Sequence, residues 1–108
     1  MNVSKNWDNG VLTVSVDGEI NTLTTPTLAS AVEDLNGVRT LIFDLDLVPY
    51  VSSAGLRLFL SCQRTMQASG GEMQIIHINE LMAEIFESVG YDRIMNLSVK
   101  KEAEEVHE

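Results

Sequence analysis

The chain holds one cysteine, Cys62, so no internal disulfide can staple it, which fits a reducing compartment. Burial as a small apolar side chain accounts for that thiol without any reactivity. No run of 18 or more apolar residues is present, which excludes a membrane-spanning helix. The opening stretch, MNVSKNWDNG, has neither a charged n-region nor an apolar h-region. It does not read as a signal peptide, and a cytoplasmic location is the default expectation. Basic residues are scarce: 7 against 16 acidic ones, for a formal net charge of −9, with no Lys/Arg cluster larger than Lys100-Lys101. Such a surface repels a phosphate backbone, so direct nucleic-acid binding is not expected. A basic protein partner, or simple solubility, suits the charge better.

Catalytic and cofactor motifs are also missing. There is no G-x-S-x-G elbow, P-loop or G-x-G-x-x-G. His77 and His107 lie far apart in sequence, and no Cys/His/Asp spacing resembles a metal site. Asp44 and Asp46 near Ser52 and Ser53 suggest an acid/base pair, yet a serine nucleophile needs an adjacent base and none is evident. Neither an enzyme nor a resident cofactor is expected.

What is present is an ordinary single-domain composition: 108 residues, 44% hydrophobic and 21% charged. Val3 to Trp7 and Val11 to Val16 read as strands joined by Asp8-Asn9-Gly10, whose Asn-Gly pair is a strong hairpin signal. Trp7 is expected to pack at the sheet margin. Thr25-Pro26 predicts an N-cap and first position of a helix running to about Leu35, stopped by Asn36-Gly37. Thr40 to Leu45 has the length and apolarity of a buried strand. A helix is expected over Ala54–Ser69, with Leu56, Phe59, Leu60 and Met66 inward and Arg57 and Arg64 in solvent. EMQIIHI, residues 72–78, reads as a strand. Asn79 caps a helix from Glu80 to Val89, with Met82, Ile85, Phe86 and Val89 on one face. Tyr91 to Leu97 suggests a short edge strand, and residues 98–108, with Glu102, Glu104, Glu105 and Glu108, a frayed acidic helix with a solvated face. The order predicts an α/β domain over residues 1–108: a single mixed β-sheet with a leading β-hairpin and packed helices. Leu41, Phe43, Phe59, Ile75, Ile85 and Phe86 are its expected core. Sites in open α/β sheets form at strand carboxyl ends, where Asp44 and Ser53 fall.

Pro49 breaks the chain after the central strand, and Ser53 precedes Ala54-Gly55-Leu56. By geometry alone Ser53 is an ordinary N-cap. The stretch FDLDLVPYVSSAGLRLFL, however, resembles the signature of the STAS family, the anti-sigma factor antagonists. Gly18-Glu19-Ile20-Asn21 resembles that family's Gly-Glu-Leu-Asp turn, and Gly70-Gly71-Glu72-Met73, Val89-Gly90-Tyr91 and Ile94-Met95-Asn96-Leu97 recur in the same order. The resemblance implies a STAS-like fold and a serine, here Ser53, phosphorylated by a partner kinase. It implies contacts around Asn21, Thr22, Asp46, Ser52, Ser53 and Arg57. Arg57, one turn from Ser53, either meets a phosphate there or is plain surface charge. Two positions depart from the pattern. Ser52 stands where many members carry Asp, which either alters how the kinase sees the site or leaves Ser52 as a competing acceptor. Asn21 stands where the family has Asp, keeping a hydrogen-bonding side chain without the charge; a simple turn residue explains it equally well.

The resemblance implies a phosphorylation-switched binding module. Unphosphorylated, it would bind an anti-sigma factor serine kinase of the histidine-kinase-like ATPase fold and free a sigma factor. A PP2C-type phosphatase would reset it, ATP and metal belonging to those partners. Two alternatives stay open: a constitutive STAS adaptor in a signalling scaffold or lipid-transport complex, and a small nucleotide-binding domain.

Overall fold

The computed structural model describes residues 1–101, so the expectation for Glu102 to Glu108 lies outside the described residues. Strand β1 (Asn2–Asp8) pairs antiparallel with β2 (Val11–Asp17), with Asp8 opposite Val11. Asn9 (φ 51°) and Gly10 (φ 89°) both lie in the left-handed region, as a two-residue primed turn requires. From β2 onward the sheet is parallel: β3 (Thr40–Leu47), β4 (Glu72–Ile78) and β5 (Asn96–Val99), in spatial order β1-β2-β3-β4-β5. Helices α1 (Thr25–Ala31), α2 (Ser53–Ala68) and α3 (Glu80–Ser88) are the crossovers. Each crossover steps the chain one strand in the same direction, so the right-handed rule places all three on one face.

Burial follows that geometry. Alternate residues Leu12, Val14 and Val16 of β2, Leu41, Phe43 and Leu45 of β3, and Met73 and Ile75 of β4 are buried beneath the helices. Val14, Phe43 and Ile75 stand side by side across three strands. Phe59 of α2 meets Phe43 edge-on, with ring centroids 4.9 Å apart, and Phe86 of α3 at 6.0 Å. Five of the six expected core residues are fully buried; Ile85 is half-buried, packed against the cluster. Burial pushes the Cys62 thiol up to about 11, so it stays protonated near neutrality.

Several boundaries differ from the sequence expectation. Helix α1 ends at Ala31, not Leu35, because Asp34 Oδ1 accepts the Asn36 N–H at 3.0 Å and Val38 N–H bonds Leu35 C=O, closing turns before Gly37. Trp7 sits at the margin as expected but remains half-exposed on edge strand β1. Val89 is exposed because α3 has already ended at Ser88. Residues Tyr91–Arg93 form a 3-10 turn instead of strand, held by the Tyr91 hydroxyl donating to Leu56 C=O at 3.1 Å. The edge strand therefore starts at Asn96 and takes in Ser98 and Val99, which were expected to be helical.

Leu41→Ala or Phe59→Ala should each cost about 2–5 kcal/mol, since both side chains are fully enclosed. Urea denaturation followed by circular dichroism measures this, and a loss below about 1 kcal/mol would contradict their placement.

Candidate functional site

The site begins with a backbone splice between two loops. After β2 the chain runs alongside the segment that leaves β3: Gly18 N–H bonds Leu47 C=O, Ile20 N–H bonds Tyr50 C=O, and Ser52 N–H bonds Ile20 C=O at 2.8 Å. Ile20 and Val51 form a parallel bridge, and both are buried. Helix α2 starts directly on this splice. A β-carbon on Gly55 would lie 2.6 Å from Cγ2 of both Ile20 and Val51, so only glycine lets the first turn of α2 seat there.

Ser53 is not the N-cap. The cap residue is Ser52, extended at φ −92°, ψ 177°, whose carbonyl accepts the first helical bond from Leu56 N–H at 3.0 Å. Ser53 is the first helical residue and its side chain is exposed. The reason is the splice: Ser52 N–H is committed to Ile20, which holds Ser52 extended and lets the helical bend begin one residue later. The Ser52 hydroxyl oxygen is buried, caps nothing, and has no partner among the described residues. The N–H groups of Ser53, Ala54 and Gly55 precede the first helical bond, so Ser53 stands in the positive first turn of a sixteen-residue helix. Arg57, one turn on, is exposed and makes no ion pair among the described residues.

Asn21 and Thr22 join this end through the splice; Thr22 is exposed and Asn21 half-buried. Asn21 Oδ1 accepts the N–H of Leu23 at 2.9 Å and of Thr24 at 3.0 Å. Thr24 Oγ1 accepts Asn21 N–H at 2.8 Å and donates to Glu19 C=O at 2.8 Å. Asn21 thereby does the work of a cap, so Thr24 takes the N-cap position of α1 and Thr25, expected as the cap, becomes its first residue. Asp46 does not join the group. Strand alternation with buried Leu45 turns it to the face opposite the helices. There its carbonyl accepts from Lys100 Nζ at 3.0 Å, near the Asp44–His77 pair at 2.8 Å. His77, read from sequence as structural, has φ 63° and sits where the β4–β5 register shifts.

Three exposed apolar side chains flank the splice and escaped the sequence reading: Leu23 (87% exposed), Leu47 (60%) and Tyr50 (41%). Each sits in or beside a turn, where hydropathy periodicity carries no signal.

The family model of the STAS domain matches residues 2–105. An anti-sigma-B factor antagonist of Staphylococcus aureus is 24% identical over 106 residues, covering 96% of this chain and 98% of the relative. The crystal structure of an anti-sigma factor antagonist from Mycobacterium paratuberculosis superposes with a TM-score of 0.80 at 23% identity, covering 90% of this chain and 84% of that one. The Bacillus cell fate determinant SpoIIAA in its phosphorylated form gives 0.73 at 16%, covering 96% and 95%. These two likenesses show a shared fold.

Gly55→Ala tests the splice. Helix propensity alone favours alanine by about 1 kcal/mol. The clash with two enclosed side chains should reverse that sign and give a net loss of roughly 1–3 kcal/mol in denaturant unfolding. A stabilised variant would show that α2 does not seat on Ile20 and Val51.

Proposed function

This chain belongs to the STAS domain family, and from that premise we propose that it is an anti-sigma factor antagonist switched by phosphorylation of Ser53. The carrying observation is the Ser53 hydroxyl itself: solvent-exposed, at the first position of α2, on a rigid loop splice. A kinase needs access to the acceptor oxygen, and the position supplies it. Ser52, whose hydroxyl is buried, is the poorer acceptor. The name of the Staphylococcus aureus relative and the phosphorylated state of SpoIIAA support the same reading.

In its neutral form the face around Ser53 binds an anti-sigma factor serine kinase, which releases its sigma factor. The kinase transfers phosphate from ATP to Ser53, and a PP2C-type phosphatase removes it. Nucleotide and metal stay with those partners. Phosphate adds about −1.5 to −2 charges and three acceptor oxygens. In the free protein the helix N-terminus tolerates that anion, with dipole terms of about 0.3–1 kcal/mol. In the complex the same dianion must be desolvated against a surface fitted to a hydroxyl, so the penalty falls on binding.

Incubation with each purified anti-sigma factor kinase encoded in the same genome, with ATP and magnesium, should place one phosphate on Ser53 by mass spectrometry. Ser53→Ala should take none, and should alter stability by less than about 0.5 kcal/mol, because this hydroxyl caps nothing. Ser53→Asp should fold normally and bind the kinase about a hundredfold more weakly, the equivalent of roughly 3 kcal/mol. Phosphate on Ser52 instead, or equal affinities for wild type and Ser53→Asp by titration calorimetry, would sink the assignment.

A further inference from the structure

We propose that helix α3 braces the Ser53 acceptor from both of its ends, with Asn79 and Tyr91 as positioning residues for phosphoryl transfer. The inference rests on the functional reading above and adds the residues that aim its acceptor. The step it serves forms a bond from Ser53 Oγ to the γ-phosphorus of ATP as the bond to ADP breaks, the serine proton leaving to a base that the kinase supplies. Catalysis of such a transfer is chiefly alignment, so whatever holds the hydroxyl in line bears on the rate. The segment that carries the serine is held on two sides. Toward β2, Leu47 C=O and Tyr50 C=O accept from Gly18 and Ile20, and Ser52 N–H donates to Ile20 C=O. Between these bonds Pro49 C=O accepts from Asn79 Nδ2 at 3.1 Å. Proline has no N–H, so that carbonyl is the one backbone group Pro49 can use. Both partners fix the amide's orientation: Asn79 Oδ1 accepts Met82 N–H at 2.8 Å, which leaves Nδ2 facing Pro49. Asn, Asp and Ser cap helices comparably, and of the three only asparagine carries an acceptor and an N–H donor on one planar group.

The second tie comes from just past the other end of α3. The Tyr91 hydroxyl donates to Leu56 C=O at 3.1 Å, and its ring stacks on Phe86 with centroids 6.2 Å apart. Phe86 in turn meets Phe59 of α2. The two bonds therefore land on Pro49 and Leu56, one on each side of Ser53, and each runs from a side chain at an end of α3 to a backbone carbonyl. The irregularity at His77, which turns Ile78 inward and sets Asn79 at the start of α3, gives the first of them its reach. With residues 18–20 on one side and α3 on the other, the first turn of α2 has its approach and its exit both tethered. Removing either tether leaves the core packing in place and widens the range of positions open to the acceptor oxygen.

The test uses the full chain and the purified anti-sigma factor kinase that phosphorylates Ser53, held in excess with ATP and magnesium. Phosphate on Ser53 is followed by mass spectrometry over a range of kinase concentrations. Asn79→Asp and Asn79→Ser keep the cap and lose the amide donor; Tyr91→Phe keeps the ring and loses the hydroxyl. Each should lower the maximal rate roughly threefold to tenfold, the range for one lost hydrogen bond, with the half-saturating kinase concentration within about twofold of wild type. All three should melt within about 5 °C of wild type. In both Asn79 variants amide exchange at Ile20 and Ser52 should quicken while Met82 N–H stays protected, a split that a general loss of stability does not give. Ser88→Ala, which removes a bond inside the same helix from Ser88 Oγ to Ile85 C=O at 2.7 Å, should leave the rate unchanged. Wild-type maximal rates in both Asn79 variants or in Tyr91→Phe, or an equal fall in Ser88→Ala, would overturn this inference alone. If no kinase of that genome phosphorylates the wild-type chain, the functional reading fails and this inference with it.

Discussion

The three backbone bonds joining residues 18–20 to residues 47–52 set the end of the domain that carries Ser53. A loop after a central parallel strand ordinarily runs over the surface with its backbone groups in water. Here the loop after β2 and the loop after β3 satisfy each other, and Ile20 and Val51 sink into the core as a consequence. That fixes Ser52 in an extended conformation, starts α2 at Ser53, and demands glycine at position 55. The Ser53 hydroxyl is therefore placed by buried packing. The phosphate proposed for its oxygen would have no loose segment to reorganise, so its effect would fall on the interface and not on the fold.

The opposite side of the same rim is polar and solves a different problem. A histidine in the left-handed region costs of order 1–3 kcal/mol, and His77 occupies it. The irregularity turns both Ile75 and Ile78 into the core and delivers Asn79 to the start of α3. Asn79 Oδ1 then caps Met82 N–H at 2.8 Å, while its amide donates to Pro49 C=O at 3.1 Å. The buried isoleucines and the two hydrogen bonds offset the strain. The Asp44–His77 contact lies on the open sheet face, so these residues hold the rim without entering the Ser53 surface.

The elements with strong local signals were legible in the sequence. Asn9-Gly10 specifies its turn by backbone chemistry alone, the apolar Leu41–Leu45 run specifies a buried strand, and Asn79 caps as expected. The serine stretch was legible as a helix start, but not which serine caps it. That choice depends on Ser52 N–H meeting Ile20 C=O, a contact across 32 residues. Helix α1 stopped early for a local reason, the Asp34–Asn36 bond, that periodicity of Leu28, Val32 and Leu35 overrode. Val32 and Leu35 still pack against the core, so the apolar spacing was right while the backbone was not helical. Asn21 was visible as a departure from the family turn, yet its inward-facing oxygen, and with it the exposure of Leu23, exists only once the turn is folded.

Helices α2 and α3 start at the same rim and treat their positive ends differently. Helix α3 is compensated twice, by the Asn79 cap and by Glu80 in its first turn. Helix α2 has neither: no side-chain cap and no acidic residue in its first turn, although the chain as a whole carries 16 acidic residues. With so many carboxylates in the chain, the longest of the three helices starts without a side-chain cap or a first-turn acid, and Ser53 is its first residue. Were Ser53 phosphorylated as proposed, a partner would meet either a bare hydroxyl or a dianion, two very different surfaces. The free fold would feel the change little, because the anion would enter a field that already favours it. On that account the proposed switch has a small structural consequence and a large one for association.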